Sequence, residues 1–270
     1  MMNTVQVTAD QRQQFAEDGY FITDVVFDEP TLAGIRGEFT RFWKAEIAAA
    51  NQAGDPLKMH WARVRPHMAA LNHRSELCRA FCHHPIFADL CRQLLGEDAD
   101  LTWNQAIVKA PMSAASAATR QNALGWHQDP WYGLHSEYLQ AIHEDQYRAP
   151  DNAITCWVAI SRTIVDNGTL WVLPGRHKEG LFPHIWNAER IEYQAQLDTA
   201  WKIPVVLRPG QVLIFKKYLP HSSGVNVSNE TRMAYQIGYN QPGLYRAPSP
   251  NFSPMLRAGQ LVDPANRGSI

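Results

Sequence analysis

Long hydrophobic runs are missing from this 270-residue chain. A membrane-spanning helix needs about 20 consecutive apolar residues. No stretch approaches that length, so no membrane partner is expected. The opening MMNTVQVTAD has neither a basic start nor an apolar stretch behind it, so no secretory leader is expected either. Charge of one sign is also lacking: the net charge is −1 and the pI is near 6.8. Such a balance leaves no electrostatic footprint for a nucleic acid. Cysteines are few, and Cys78, Cys82, Cys91 and Cys156 lack the spacing of a disulfide framework, which fits a reducing cytoplasm. No internal repeat and no clear linker interrupt the chain. Its 45% hydrophobic content is enough to bury one large core, so residues 1–270 are expected to form a single domain.

What is present divides into a helical front, about 9–96, and a strand-rich remainder. Thr8 precedes an amphipathic stretch from Ala9 to Asp18, and Asp28-Glu29-Pro30 is a start signal for a helix running into Ala50. NQAGDP at 51–56 reads as a turn. Helical patterning returns over Ser75–Cys82 and from Pro85 to Leu95, where Gly96 ends it. From residue 101 to about 241 the texture changes to short strands: 101–109, 122–128, 154–160, 169–173, 202–207, 211–216 and 232–240. Gly and Pro punctuate them, as in DNG, PGR and RPGQ. Strands at this spacing with helices on one side predict a mainly β, α+β jelly-roll core. The tail, 242–270, reads as an ordered wrap or a loose end.

Within that core, ALGWHQDPWYG carries His127 and Asp129 two residues apart. On an extended segment such residues share a face. A distal histidine, His221 in YLPHSSG, would complete a two-His, one-carboxylate set, which covers one face of a metal ion and leaves the opposite positions open, as in non-haem Fe(II) oxygenases. Arg232 follows eleven residues later, after the polar turn Asn226–Thr231. A hairpin there would bring its guanidinium back beside the metal to clamp a dicarboxylate. Ser223, two residues past His221 on the same face, would assist it. Lys109 is a second cation at a strand end, and Gln105 shares its face. A strand-end lysine is usually solvated and a serine after a histidine is often only a turn residue, so both readings stay open for Lys109 and Ser223.

Several segments together resemble the phytanoyl-CoA dioxygenase family of Fe(II)- and 2-oxoglutarate-dependent oxygenases. They are QRQQFAEDGYFIT at 11–23, WHQD at 126–129, ITCWVAI at 154–160, NGTLWVLPGRH at 167–177 and RPGQVLIF at 208–215, with His221 and Arg232. The resemblance implies a double-stranded β-helix (a jelly-roll, cupin-like barrel) with N-terminal helices packed on one side. It implies iron held by His127, Asp129 and His221, 2-oxoglutarate captured by Arg232, and Trp157 as part of the cosubstrate wall. The expected activity is O2-dependent hydroxylation of a small molecule with release of succinate and CO2, stimulated by ascorbate. Desaturation or ring closure on the same cofactors is the alternative, as is a zinc-binding or non-catalytic cupin-like protein. The retained Asp129 argues against halogenation, because halide needs the position the carboxylate occupies. Two departures stand out: Arg176 replaces a small residue in PGRH, and 133–152 lengthens the gap after the HxD.

Competing patterns read as structural. His143-Glu144-Asp145 lies in a helical stretch, where i and i+2 do not share a face. Cys78 and Cys82 fall at helical spacing without a second pair, so packed cysteines are expected. His177 is assigned a structural turn contact or a place on the barrel rim. For the substrate, LKMHWARVRPHMAALNHR at 57–74 offers His60, Arg63 and Arg65; it reads as a solvated basic loop or as a surface for an anionic or zwitterionic molecule. Pro66 favours extended backbone before it, which would turn Arg63 and Arg65 the same way. Trp131 would supply an apolar wall, and 133–152 a lid.

Overall fold

The computed structural model describes residues 4–64, 66, 68–113, 122–135, 140–189, 192–246 and 252–264. Its first helix, α1 (Ala9–Glu17), starts at Thr8, whose hydroxyl accepts the Gln11 N–H while the Gln11 side chain returns to the Thr8 N–H. Strand β1 (Tyr20–Ile22) leads to α2 (Glu29–Ala53), capped by the Asp28 carboxylate and buried through Leu32, Ile35, Phe39 and Phe42. α2 runs past the expected end at Ala50, and the turn shrinks to Gly54-Asp55. The reason is local. Gly54 takes φ 66° as the C-cap, and the Asp55 carboxylate accepts the N–H groups of Leu57 and Lys58 to start α3 (Pro56–Val64) at once. Arg63 is therefore helical and not extended as expected, and Arg65 lies outside the described residues. Strand β2 (Met68–Ala69), α4 (Leu71–Arg74), α5 (Glu76–Cys82) and α6 (Pro85–Leu94) complete the helical front. No described helix is long and apolar enough to cross a membrane.

The strands that follow are β3 (Ala99–Lys109), β4 (Leu124–His127), β5 (Ala153–Ala159), β6 (Leu170–Val172), β7 (His184–Asn187), β8 (Glu192–Ala195), β9 (Ile203–Val205), β10 (Val212–Lys216), β11 (His221–Ser223), β12 (Arg232–Asn240), β13 (Ser253–Arg257) and β14 (Gln260–Leu261). Two short helices, α7 (Asp129–Leu134) and α8 (Glu144–Arg148), lie between β4 and β5. The large sheet has the order β1-β10-β5-β12-β3-β13-β14, with β2 beside β3; the small one is β4-β11-β6-β9. All pairings are antiparallel. This is the mainly β jelly-roll type expected, although the two sheets do not close into one hydrogen-bonded barrel.

Side chains of the large sheet alternate between two environments. Cys156, Val158, Ile214, Tyr235 and Ile237 join the core shared with the helices, whereas Trp157, Ala159, Leu213, Phe215 and Ala234 pack against Leu170, Val172 and Val205 of the small sheet. Cys78 and Cys82 sit in the helix-side core as free, buried thiols. The tail contributes β13, which pairs with β3, so part of it is an ordered wrap.

One expectation about connectivity is corrected. β11 and β12 do not form a hairpin: β11 belongs to the small sheet and β12 to the large one. The turn between them crosses from sheet to sheet, pinned by Asn226, whose side-chain amide donates to the carbonyls of Lys109 and Glu230 at 2.8 Å each. Arg232 consequently approaches from the sheet facing His221.

Candidate functional site

His127 ends β4 and His221 opens β11, and antiparallel pairing places them directly opposite, with ring centroids 4.2 Å apart. In each ring Nδ1 faces a backbone carbonyl, of Gly125 at 2.8 Å and of Leu219 at 3.0 Å. A carbonyl only accepts, so the proton sits on Nδ1 and the Nε2 lone pair is presented to the cavity. Asp129 is the first residue of α7, held there with Pro130 in the opening turn. Gln128 between them remains extended (φ −125°, ψ 129°), so the alternation that aims His127 and Asp129 the same way survives the end of the strand. Asp129 Oδ1 lies 3.7 Å from His127 Nε2 and 3.6 Å from His221 Nε2. The three ligand atoms fall within 4.8 Å of one another, as one ion requires. Burial pushes the Asp129 carboxyl pKa up, opposed by His221 and by hydrogen bonds from Gln236 and Thr155. A divalent cation would relieve that cost, and two imidazole nitrogens with one hard oxygen suit iron.

The residue between the ligands is engaged at both ends. The Gln128 side chain is fully buried and donates to Gly180 O at 2.7 Å and Tyr218 O at 2.6 Å, while its oxygen accepts the Phe182 N–H at 2.7 Å. Its backbone N–H donates to His184 Nε2 at 3.2 Å, and His184 Nδ1 faces Phe182 O at 2.8 Å. Burial lowers the His184 pKa, in keeping with a neutral ring that accepts from this amide.

Arg232 is wholly buried, and burial pushes its pKa down to about 9, still charged at neutral pH. Nη2 donates to Gly168 O at 2.9 Å, and the guanidinium carbon stands 5.2 Å from the centre of the Trp157 ring. Nε and Nη1 are buried without a partner. Lys109 lies directly across from Arg232 in the β12–β3 register. It is buried, not solvated, and donates to Ser223 Oγ at 2.7 Å and Gly224 O at 2.5 Å. Ser223 Oγ thus accepts from Lys109, across the cavity end from which Arg232 projects. Gly168 makes the crowding possible: at φ 80°, a Cβ there would meet Gly224 O at 2.6 Å. Like charges directly across a strand pair repel. Two buried cations, one with open donors, fit an incoming carboxylate.

These groups line one cavity of about 850 Å³, together with Gln105, Trp157 and Trp131. Trp131 on α7 stacks between His135 and His184 at 3.5 and 4.5 Å. Gln236, Thr155, Tyr147, Lys217 and Glu192 also line it and were not anticipated. Gln236 was detectable by alternation from Arg232; Glu192 was not. It belongs to the β7–β8 hairpin, where Ile185 and Trp186 are exposed while His184 and Glu192 are buried, the reverse of an ordinary amphipathic pattern. Glu192 accepts the Gly125 N–H at 2.9 Å, bracing β4. His60 and Arg63 do not line the cavity, although their neighbour Trp61 does. Arg63 is exposed and donates to Asn51 at 3.4 Å, because its helix turns it to solvent. Of the 133–152 segment, His135, Ile142 and Tyr147 reach the cavity, while 136–139 lie outside the described residues. His143-Glu144-Asp145 spans the start of α8, with both acids exposed. His177 packs against Gly19, the turn contact expected.

With this geometry in place, comparison with known proteins is decisive for ancestry. The family model described as Phytanoyl-CoA dioxygenase (PhyH) matches residues 15–234. The chain belongs to the phytanoyl-CoA dioxygenase family. Its relatives include methylphosphonate hydroxylase from Gimesia maris, 36% identical over 104 residues, 37% of this chain and 38% of that protein. Peroxisomal phytanoyl-CoA dioxygenase from Rattus norvegicus is 25% identical over 252 residues, 86% of this chain and 68% of that one. Matches to the curated relatives span between 36% and 68% of their own length. Among solved folds, the epimerase SnoN in complex with Fe3+, alpha ketoglutarate and nogalamycin RO aligns with a TM-score of 0.63 at 20% identity, over 88% of this chain and 85% of that one. EvdO2 from Micromonospora carbonacea var. aurantiaca, complexed with 2-oxoglutarate, also gives 0.63, at 21% identity over 93% and 98%.

Proposed function

We propose that this phytanoyl-CoA dioxygenase family member is an Fe(II)- and 2-oxoglutarate-dependent oxygenase that hydroxylates a C–H bond of a small molecule. The observation that carries the reading is the pairing of a convergent His127–Asp129–His221 set with a buried, incompletely partnered Arg232 in the same cavity. When bound, such a centre supplies oxidative decarboxylation of 2-oxoglutarate to succinate and CO2, coupled to oxidation of the substrate.

The residues divide the work around that chemistry. His127, Asp129 and His221 would hold the metal, which would supply the oxidation chemistry to the oxo acid and O2 in the cavity they line. Arg232 receives the far carboxylate through its open Nε and Nη1 donors, with Lys109 and Ser223 beside it and Trp157 as a wall. Gln236 and Thr155 steer the Asp129 carboxylate. Apolar and aromatic walls keep water from the reacting atoms. The four free, buried cysteines suit a reducing cytoplasm. Anaerobic protein loaded with Fe(II) and 2-oxoglutarate should release succinate when O2 is admitted, faster with ascorbate present. Failure to bind Fe(II), or no succinate above the metal-free control, overturns the proposal.

A further inference from the structure

Lys217 is a buried cation that the cosubstrate machinery does not use. It follows β10, retains 6% exposure and lines the cavity. Its ammonium donates to Tyr147 O at 2.8 Å and to Asn152 Oδ1 at 2.7 Å, both neutral acceptors. An ammonium has three donors, so one is left. The rings of Tyr147 and Tyr218 lie 5.9 and 5.6 Å from it. The carboxylate whose field it feels is Asp151, which is paired with Lys216 at 2.5 Å. Of the two acids that line the cavity among the described residues, Asp129 belongs to the candidate metal set, and Glu192 is occupied by Gly125 N–H and the Gln194 amide at 2.9 Å each.

Strand register fixes where this charge lies. Asn152 immediately precedes β5, whose first residue Ala153 pairs with Asn240 at the end of β12; Arg232 is at the other end of the same strand. Eight residues of extended chain separate them, roughly 26 Å. Gln236, which holds Asp129, is midway. Two buried cations therefore stand at opposite ends of one cavity with the candidate metal ligands between them. A desolvated charge held only by neutral groups is costly, and an anion that reaches it recovers that cost.

We propose that Lys217 anchors an anionic group of the substrate, a carboxylate, phosphate or phosphonate, in the half of the cavity opposite Arg232. The proposal rests on the iron and 2-oxoglutarate reading, which assigns Arg232 to the oxo acid and leaves Lys217 for the substrate. An anion there points the rest of the molecule toward the triad, and amines are repelled.

The test is calorimetric titration of anaerobic Fe(II) protein, saturated with 2-oxoglutarate, with hexanoate, hexylphosphonate, hexanol and hexylamine. The two anions should bind about tenfold or more tightly than hexanol, hexylamine should bind weakest, and the better anion identifies the headgroup. Lys217→Met should reduce both anions to the level of hexanol. Asn152→Asp keeps the lysine but gives it an internal carboxylate, and should do the same, so the test survives if the methionine variant fails to fold. Neither change should alter 2-oxoglutarate affinity. Anions no better than hexanol, or an anion preference that survives both substitutions, overturns the proposal. If wild type fails to bind 2-oxoglutarate, the cofactor reading falls separately. The same probes on metal-free protein then decide the anchor by whether Lys217→Met lowers anion affinity.

Discussion

On strand β12, Met233, Tyr235, Ile237 and Tyr239 point at the helices, while Arg232, Gln236, Gly238 and Asn240 point into the cavity. Every residue of the strand is buried, so burial does not distinguish the two faces; satisfaction of polar groups does. On the helix side the Tyr235 hydroxyl donates to Asn104 at 2.8 Å and the Tyr239 hydroxyl to Cys82 O at 2.5 Å. Phe39, Phe81 and Phe87 pack against these rings. On the cavity side Arg232 keeps two buried nitrogens without a partner. Leaving a buried polar group open costs roughly 1–3 kcal/mol. A fold tolerates that where a ligand closes the gap, so the helix face of β12 is saturated by packing while its cavity face suits a ligand.

The sharpest break in this comparison is Asp129→Ala. It removes one of three candidate metal ligands and should abolish Fe(II) binding and succinate formation altogether. Because burial disfavours the Asp129 carboxylate, the metal-free variant should melt no lower than wild type. Retention of stoichiometric iron would refute the triad.

Arg232→Ala should leave iron loading intact and weaken 2-oxoglutarate by roughly 2–5 kcal/mol, the scale for truncating one partner of a buried charge pair. Titration of the absorption band formed by Fe(II) and the oxo acid reads it directly; an unchanged Kd would transfer the clamp to Lys109.

Neighbouring residues on opposite faces sharpen the contrast further. Gln236→Leu removes the amide that donates to Asp129 Oδ2 at 3.3 Å, and metal affinity should fall roughly 10–100-fold with little change in melting. Tyr235→Phe should do the reverse: a loss of about 1 kcal/mol in unfolding free energy, with Fe(II) and 2-oxoglutarate affinities unchanged. If Tyr235→Phe moved cosubstrate affinity as much as Gln236→Leu moves the metal's, the faces would not be functionally separate.

Much of the site was legible because its signals are local. The HxD spacing needs only an extended dipeptide, and Gln128 supplies it even though β4 stops at His127. Gln105 and Lys109 followed from alternation on one long strand, and both line the cavity. The environment of Lys109 was less accessible: a strand-end lysine is ordinarily solvated, and here the crossing of Ser223 and Gly224 over it supplies acceptors that exclude water. Arg63 misled for the opposite reason. The preference imposed by Pro66 acts on the residue before it, and the cap from Asp55 carries the helix through Val64. Lys217 gave no signal, since a lysine beside Lys216 and Tyr218 looks like a solvated turn.

Composition, alternation and motif spacing by themselves determined a mainly β core behind a helical front, the identity of the three candidate ligands, and the arginine that accompanies them. Those features depend on backbone geometry over a few residues, which side-chain type and period report directly. Only the tertiary structure decided that His221 and Arg232 come from different sheets, that Gln236 and Thr155 hold Asp129, and that Lys217 stands opposite Arg232. These are contacts between strands distant in sequence, fixed by the order in which the sheets pair and by which faces they bury against each other, and no local pattern encodes that order.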